Sequence, residues 1–246
     1  MQGRPRYGQY CPLSMAAEIM GTRWTLLILR ELLEGSTSFN EISRGVPLMS
    51  RSLLSQRLKD LEAAGLLHHR DSGRGRTAAY ELTEAGRALG GVVRSIAEWG
   101  QEWIDTEPSL DDVDTDFLMW DMRRNVRRPP NFPERFVVHF HFPDAAEKKT
   151  DHWLVMKTDE VDLCYIDPGF EIDVSIEAPI KDMTRVWMGW HPLEEAIERG
   201  VILVDGPPRY TRSVRTWLGL SSVSGIRKRP PEMRLLVAGA HRTPAR

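Results

Sequence analysis

The strongest constraint in the sequence is the stretch from Ser50 to Gly65, which contains the start, the body and the end of one amphipathic helix. Ser50 is a favourable N-cap, and Gly65 can adopt the left-handed backbone that ends a helix. At about 100° per residue the helix has two faces. The inner face carries three leucines, and the outer face carries short polar side chains and one cation, namely Ser52, Ser55, Gln56 and Lys59. Such an outer face suits base edges and phosphates, but alone it favours an ordinary surface helix.

The segment before this helix strengthens the DNA-binding interpretation. Ser38 and Glu41 have the spacing of a capping box, which predicts a short helix from Phe39 to Arg44. Gly45 to Pro47 then breaks the chain before Ser50. The order is helix, short turn, helix, which is typical of a helix-turn-helix.

The segment after the helix predicts a hairpin. Residues 66–70 and 78–82 resemble strands, and between them lies a Gly-rich tip that carries Arg74 and Arg76. A helix-turn-helix followed by a basic hairpin is a winged helix. The formal net charge of the chain is −2, so DNA affinity has to come from a local patch. Between Ser38 and Tyr80 the cations do outnumber the carboxylates.

Several ordered blocks in the first hundred residues resemble the HxlR-type winged-helix regulators. They lie between about Tyr10 and Trp103: Cys11-Pro-Leu, Gly21-Thr-Arg-Trp-Thr-Leu-Leu-Ile-Leu-Arg-Glu-Leu33, Phe39-Asn-Glu-Ile, Ser55-Gln-Arg-Leu-Lys-Asp-Leu-Glu-Ala-Ala-Gly-Leu66 and Tyr80-Glu-Leu-Thr-Glu-Ala-Gly86. The resemblance implies a homodimer that binds double-stranded DNA. A long helix from Glu84 to about Trp103 has an apolar stripe that a second subunit would cover.

The resemblance and the residues together predict a DNA-contacting set. Ser50 starts the helix that enters the major groove, and Ser52, Ser55, Gln56 and Lys59 reach bases or phosphates. Arg51 holds a phosphate at the groove edge. The resemblance to winged-helix proteins implies that Arg74 and Arg76 reach the minor groove. For Arg57, a phosphate contact and a contact within the protein both remain open.

Cys11 is a candidate sensor. In HxlR-type proteins a cysteine at this position can respond to oxidants or electrophiles, and Cys11 matches that motif. The alternative is a cysteine that only packs near a dimer interface. Reactivity would require a nearby cation or a helix N-terminus.

The sequence changes character after the acidic stretch from Asp105 to Asp116, which predicts a linker or a solvated loop. We therefore expect domains at residues 1–105 and 106–225, followed by a flexible basic tail at 226–246. In the second domain, strand patterns precede helix patterns. The expected fold class is α+β: an N-terminal winged helix, then helices that cover one face of an antiparallel sheet.

The second domain resembles sterol-carrier-protein-like domains in the order and apolar patterning of residues 116–220. That resemblance implies a cavity for a hydrophobic molecule. Its candidate ligand-binding residues are Phe170, Met183, Trp187 and Trp190. An ordinary core is the favoured interpretation of each of these residues, since apolar side chains at regular spacing become buried in any fold.

Other chemistry has little support in the sequence. His139 and His141 share a strand face and His152 follows on the next strand, a set that could bind zinc, but solvated or hydrogen-bonded histidines are the favoured interpretation. We therefore expect no metal site, no cofactor and no enzyme activity. Two distant cysteines and the lack of a long apolar run indicate a cytoplasmic protein without membrane contact.

These observations predict a dimeric transcription regulator, with repression favoured over activation, that responds to a hydrophobic small molecule or to modification of Cys11. One alternative is a lipid-carrier or enzyme module with secondary DNA binding. Another is a C-terminal domain that serves only dimerisation.

Overall fold

The computed structural model describes residues 7–70 and 79–236. The chain divides into two compact units, Met1–Ile96 and Ala97–Arg246. Arg74 and Arg76 of the predicted hairpin tip lie outside the described residues, and so do positions 237–246 of the predicted tail. Within the described ranges, none of the helices is both long and apolar enough to cross a bilayer.

The first unit is a helical domain with a two-stranded antiparallel hairpin. Its elements are α1 (Pro12–Met20), α2 (Thr25–Leu33), α3 (Phe39–Gly45), α4 (Arg51–Ala63), β1 (Leu67–Arg70), β2 (Ala79–Leu82), α5 (Glu84–Ala88) and the beginning of α6 (Gly90–Trp103). The sequence predicted one helix from Glu84 to Trp103. The structure has two, because α5 ends at Ala88 with Leu89 as its C-cap, and the next two residues, Gly90 and Gly91, are weak helix formers.

The core of the first unit forms between α2, α3, α4 and the hairpin. Its buried residues are Ile28, Leu32, Ile42, Val46, Met49, Leu54, Leu58, Leu61, Leu66 and Leu67. All three leucines of the predicted apolar stripe on α4 are among them, so α4 is held against the unit by that stripe.

The second unit contains a five-stranded sheet and short helices. Its elements after α6 are α7 (Thr115–Asn125), β3 (Phe136–His141), β4 (Asp151–Met156), β5 (Val161–Cys164), β6 (Val174–Glu177), α8 (Ile180–Trp187), α9 (Leu193–Glu198), β7 (Leu203–Asp205), α10 (Pro208–Thr211) and α11 (Val214–Leu218), with 3-10 turns at Glu107–Asp112, Glu147–Lys149 and Pro231–Met233. Strands β3 to β6 precede helices α8 to α11, as the predicted order of strands before helices requires, and only β7 of the described strands follows helices α8 and α9.

The sheet is mixed, whereas the sequence predicted an antiparallel one. The strand order is β5-β4-β3-β6-β7. Strands β3, β4 and β5 form an antiparallel meander, but β6 pairs in parallel with β3, with Val138 opposite Val174. The segment between β5 and β6 carries the chain past β4 to the far side of β3. Which strands become neighbours is decided by that crossover, which strand patterning does not encode.

One face of the sheet forms the core of the second unit. Alternate residues of β3, Phe136, Val138 and Phe140, pack in the same cluster as buried residues of α7, α8, α9, α10 and α11. The alternation of a strand places the intervening residues, among them His139 and His141, on the opposite face.

The acidic stretch between Asp105 and Asp116 differs from the predicted linker. It forms a 3-10 turn, and Leu110 within it is buried. Its carboxylates are paired with lysines and an arginine of the second unit, in the pairs Asp111–Lys181, Asp114–Lys149, Asp116–Lys149 and Glu107–Arg185. Long-range ion pairs therefore fold a segment whose composition alone resembles a solvated linker, and the division between the units falls earlier, at Ile96 and Ala97.

The described part of the predicted flexible tail is packed. Arg229 pairs with Glu102 at 2.6 Å and lies 4.5 Å from the Trp103 ring centre. The backbone N–H of Leu235 donates to the Trp103 carbonyl, and that of Asp105 donates to the Leu235 carbonyl. These contacts between distant parts of the chain hold residues 228–235 against the end of α6.

Candidate nucleic-acid interface

The first helix of the helix-turn-helix begins at the predicted capping box. The Ser38 hydroxyl oxygen accepts from the Glu41 backbone N–H at 3.2 Å, and the Glu41 carboxylate accepts from the Ser38 backbone N–H at 2.8 Å. Both reciprocal bonds are present, so the predicted capping box is confirmed.

The second helix, α4, also begins where the sequence predicts. Ser50 is its N-cap, and the hydroxyl oxygen of Ser50 accepts from the Leu53 backbone N–H at 3.3 Å. Gly65, just past the end of the helix, has a φ of 75°, a backbone conformation that favours glycine. The cap and the buried leucine stripe together orient one fixed face of α4 away from the core.

The outward face of α4 is polar and accessible. Ser52, Gln56 and Lys59 are exposed, and Ser55 is half-buried. The Gln56 side-chain amide donates to the Asp60 carboxylate at 3.0 Å. That bond occupies one N–H of the amide, so a base edge has to be read with the remaining N–H and with Oε1.

Asp60 was missed as a member of this face. Besides accepting from Gln56, it accepts from the Arg57 guanidinium at 2.8 Å, which answers the open question about Arg57 with a contact inside the protein. The signal was present in the sequence, because residues three and four apart on a helix are neighbours.

Arg51 lies at the N-terminal end of α4 and is exposed. Its guanidinium packs over the Phe39 ring, 4.7 Å from the ring centre, and donates to the Asn40 side-chain oxygen at 2.9 Å. These contacts join the beginning of α4 to the beginning of α3. They also hold a cation beside a helix N-terminus, where backbone N–H groups favour anions such as phosphate.

The base of the wing is ordered by side-chain pairs between its strands. His69 and Tyr80 stack with ring centres 4.6 Å apart, and Arg70 pairs with Glu81 at 3.2 Å. Burial, and secondarily the nearby Glu62 carboxylate, raise the pKa of Tyr80. The strands therefore support a hairpin whose tip lies outside the described residues.

Beneath the interface lies a buried carboxylate that the sequence analysis did not identify. Glu31 on α2 is fully buried. Arg30 donates to it at 2.8 Å and to the Gly45 carbonyl at 2.9 Å, and the Ser36 hydroxyl lies 3.4 Å from its second oxygen. The group links α2 to the end of α3, and a Cβ atom at position 45 would lie 1.8 Å from the Glu31 carboxyl carbon unless that side chain moved.

Cys11 is exposed at the N-cap of α1, where its side chain makes no capping bond. The Ser14 hydroxyl donates to the Cys11 carbonyl at 2.8 Å. Cys164, the second cysteine of the chain, is half-buried on β5. Burial, and secondarily the Asp162 carboxylate, raise the pKa of the Cys164 thiol. Of the two thiols, Cys11 is the accessible one.

Apolar side chains are exposed on two helices of the first unit. On α1 these are Leu13, Met15 and Ile19, and on α6 they are Val92 and Ile96. The α6 pair belongs to the stripe that the sequence analysis assigned to a second subunit.

The four predicted ligand-binding residues lie in different surroundings. Met183 and Trp187 are fully buried in the core, and the Trp187 indole N–H donates to Asp121 at 2.8 Å. Trp190 lies after α8 beneath the Lys228 ammonium, and Phe170 is 38% exposed beneath the Arg135 guanidinium. An open depression of about 830 Å³, which shares Arg135 with the surroundings of Phe170, is lined by charged and polar residues, Glu134, Arg135, Lys157, Thr158, Asp159 and Glu160.

The three histidines weighed as zinc ligands are divided between the two faces of the sheet. His152 is fully buried on the core side, where it contacts Asp116 at 2.9 Å. His139 and His141 lie on the other face and both contact Asp151. Burial opposes ionisation of Asp151, but hydrogen bonds from Thr150, His141 and His139 outweigh it and lower the pKa of Asp151 to about 2.

The part of the chain that contains the candidate interface is similar to known proteins. Residues 19–108 match the family model described as HxlR-like helix-turn-helix. The uncharacterised HTH-type transcriptional regulator YvaP of Bacillus subtilis is 39% identical over 100 residues, which are 39% of this chain and 92% of YvaP. YdeP of the same organism, also an uncharacterised HTH-type transcriptional regulator, is 29% identical over 102 residues, 41% of this chain and 80% of YdeP.

Among solved structures, the reduced form of the transcriptional regulator YodB from B. subtilis shares 32% identity with this chain. The alignment covers 38% of this chain and 93% of YodB, with a TM-score of 0.34. The residues matched by the family model contain α2 to α6 and therefore the whole candidate interface, whereas the match ends before α7.

Proposed function

The chain belongs to the HxlR-like helix-turn-helix family, and from that membership we propose that it is a transcription regulator that binds operator DNA through the outward face of α4. The observation that carries the proposal is the exposed row of Ser52, Gln56 and Lys59 on a helix whose other face is locked into the core. Ser50 and Ser55 flank this row.

Each residue has a distinct role in the proposal. Gln56 reads a base edge, because a side-chain amide can both donate to and accept from a base. Lys59 and Arg51 neutralise phosphates. Arg74 and Arg76 supply further cations from the wing, as the sequence predicts. Repression is the expected direction of regulation.

The experiment compares DNA binding by matched alanine variants over a range of salt concentrations. A labelled operator is first selected from random DNA with the wild-type protein. Lys59→Ala should weaken binding to all sequences and reduce the salt slope by about one unit, because one phosphate contact is lost. Gln56→Ala should leave the slope unchanged and lose discrimination at particular base pairs, at about 1–3 kcal/mol for each pair read.

Lys148→Ala is the matched control, because it removes an exposed cation from the second unit. It should change neither slope nor preference. If Lys59→Ala behaves like Lys148→Ala, and if Gln56→Ala retains the wild-type preference, then α4 is not the DNA-reading helix.

The protein acts as a homodimer in this proposal. The exposed apolar residues of α1 and α6 support it: Val92 and Ile96, four residues apart on α6, are neighbours on one helix face, and exposed apolar patches mark interaction sites. Two copies related by a two-fold axis would read two half-sites about 34 Å apart. Val92→Glu should shift the protein to monomer in analytical ultracentrifugation, and an unchanged sedimentation coefficient would remove this support.

Regulation has two proposed inputs, a hydrophobic molecule in the second unit and modification of Cys11. The exposure of Cys11 supports the second input, whereas Met183 and Trp187, proposed for the first, are buried in the core of the second unit. Either signal acts only through different affinities for the DNA-competent and incompetent states.

Two experiments separate the inputs. An electrophile or a mild oxidant should release DNA from the wild-type protein and from Cys164→Ser, but not from Cys11→Ser. Native mass spectrometry of the purified protein should reveal an apolar adduct if the second unit is the sensor. Release of DNA from Cys11→Ser as readily as from the wild type would exclude the thiol mechanism.

A further inference from the structure

We propose that His139, His141 and Asp151 form a binding site for a divalent transition-metal ion of the zinc type on the face of the sheet opposite the core of the second unit. The site is additional to the proposed function, because DNA binding by α4 does not require it. It differs from the histidine set considered from sequence, since its third ligand is Asp151 in place of His152.

Strand geometry brings the three side chains together. His139 and His141 are two residues apart on β3, so they share a face. In the antiparallel register of β3 and β4, His141 lies opposite Asp151 and His139 lies opposite Trp153. A hydrogen bond between the Phe142 backbone N–H and the Thr150 carbonyl, 2.8 Å long, holds the two strands together at this end. The ligands therefore stand on rigid elements, which a precise site requires.

The three donor atoms lie close to one another. One oxygen of Asp151, Oδ1, lies 2.7 Å from His139 Nε2 and 3.0 Å from His141 Nδ1, and all three atoms lie within 4.8 Å of one another. Tetrahedral zinc with bonds of about 2.0–2.1 Å needs its ligand atoms about 3.3 Å apart. Zinc binding therefore requires the two contacts with Asp151 to lengthen by about 0.3–0.6 Å and the two histidine nitrogens, which lie within 4.8 Å of each other, to approach by up to about 1.5 Å.

The surroundings hold the ligands in orientation. The Thr150 hydroxyl donates to the second oxygen of Asp151 at 2.6 Å, which directs Oδ1 toward the histidines. The His139 ring stacks on Trp153, with ring centres 5.0 Å apart and planes inclined by 25°. Hydrogen bonds and packing of this kind commonly orient metal ligands.

The site is open to an entering ion. The side chains of His139, His141 and Asp151 are 20%, 38% and 37% exposed. Two imidazoles and one carboxylate suit zinc and other first-row divalent ions, while magnesium and calcium prefer all-oxygen sites. Three protein ligands leave a position for water or an external ligand.

The test measures zinc binding to the full chain, purified without a histidine tag and stripped with a chelator. Competition with a chromophoric chelator should show one zinc ion per chain that the double variant His139→Gln, His141→Gln does not bind. Cobalt should give visible d–d bands without a thiolate charge-transfer band, and magnesium should not compete.

The matched control is the double variant His68→Gln, His69→Gln, which also removes two histidines from one strand, β1. It should retain zinc affinity, as should Cys11→Ser. If the His139/His141 variant does not fold, as judged by circular dichroism, Asp151→Asn provides the second test and should weaken zinc binding by at least about 100-fold, since loss of a mere supporting contact already costs about 10- to 100-fold.

Equal zinc affinity in the wild type and in the folded ligand variants would overturn the proposal. So would the absence of zinc uptake by the wild type, because the cluster would then be only a hydrogen-bonded link between β3 and β4. Loss of binding in Cys11→Ser would also overturn it, by assigning the metal to the thiol.

Discussion

Replacement of Gly45 by alanine tests whether the buried Glu31 group holds the helix-turn-helix in place. A Cβ atom at position 45 would lie 1.8 Å from the Glu31 carboxyl carbon and 2.0–2.3 Å from its oxygens. An ordinary contact is at least 3.4 Å, so the carboxylate has to retreat by about 1.6 Å. That retreat breaks the 2.8 Å pair with Arg30 in a place where Glu31 has no exposed surface.

The magnitude follows from the burial of the two partners. Breaking a fully buried ion pair costs about 3–5 kcal/mol. Because the Arg30 side chain is 30% exposed and can recover water contacts, we expect about 3 kcal/mol, the lower end of that range. Since small domains are stable by only about 5–15 kcal/mol, this is a large fraction of the total.

The assay is urea unfolding followed by hydrogen exchange of peptides from α2, α3 and α4, which isolates the first unit. The control is Gly91→Ala on α6, where an added Cβ meets nothing within 4 Å. It should be neutral or stabilising by up to about 1 kcal/mol, because alanine is the better helix former. Both substitutions are glycine to alanine within a helix.

Two outcomes would refute the reasoning. The first is that Gly45→Ala lowers the free energy of unfolding by less than about 1 kcal/mol and is no different from the control. The second concerns the double variant Glu31→Ala, Gly45→Ala, in which the clash no longer exists. In the Glu31→Ala background, alanine at position 45 should lower the free energy of unfolding only slightly, so that the two substitutions are coupled by more than about 1 kcal/mol. Strictly additive changes in the free energy of unfolding would contradict the proposed contact.

Two further predictions concern charged groups. Asp60→Ala removes the contacts of Asp60 with Gln56 and Arg57. It should strengthen nonspecific DNA binding, because a negative charge is lost, and it should relax base preference at the position read by Gln56. An unchanged base preference in a binding-site selection would show that Asp60 does not orient the Gln56 amide. A hydrogen bond from His152, opposed by burial and supported by Lys149, lowers the pKa of Asp116. The Asp116 carboxylate therefore stabilises the fold at pH values above its unfolded-state pKa of about 3.9, and this stabilisation is lost as the pH falls through the lower pKa of the folded state. Asp116→Asn should be less stable than the wild type in urea unfolding at pH 7, and this difference should disappear toward pH 2; a difference that persists at pH 2 would mean that packing, not charge, is responsible.

The part of the fold that sequence determined is local. The start of α3 at Ser38 and of α4 at Ser50, the turn at Gly65 and the leucine stripe all depend on residues within one or two helical turns of each other, so caps and periodicity reveal them. The outward residues of α4 follow from the same periodicity. For this reason the exposed face of α4 could be predicted from sequence, whereas the Asp60 contact and the buried Glu31 group beneath the interface were missed.

The parts that only tertiary structure decided depend on distant partners. The parallel pairing of β6 with β3, the ion pairs that fold residues 107–116 and the docking of residues 228–235 join segments far apart in the chain. The same holds for Asp151, which contacts both His139 and His141 because strand register places it opposite His141, on the same face as both histidines, while the next residue, His152, lies on the core face. Composition and periodicity describe each strand separately. Strand pairing in the assembled sheet determines which strands are neighbours and which side chains contact each other, and packing of the core determines which face is buried.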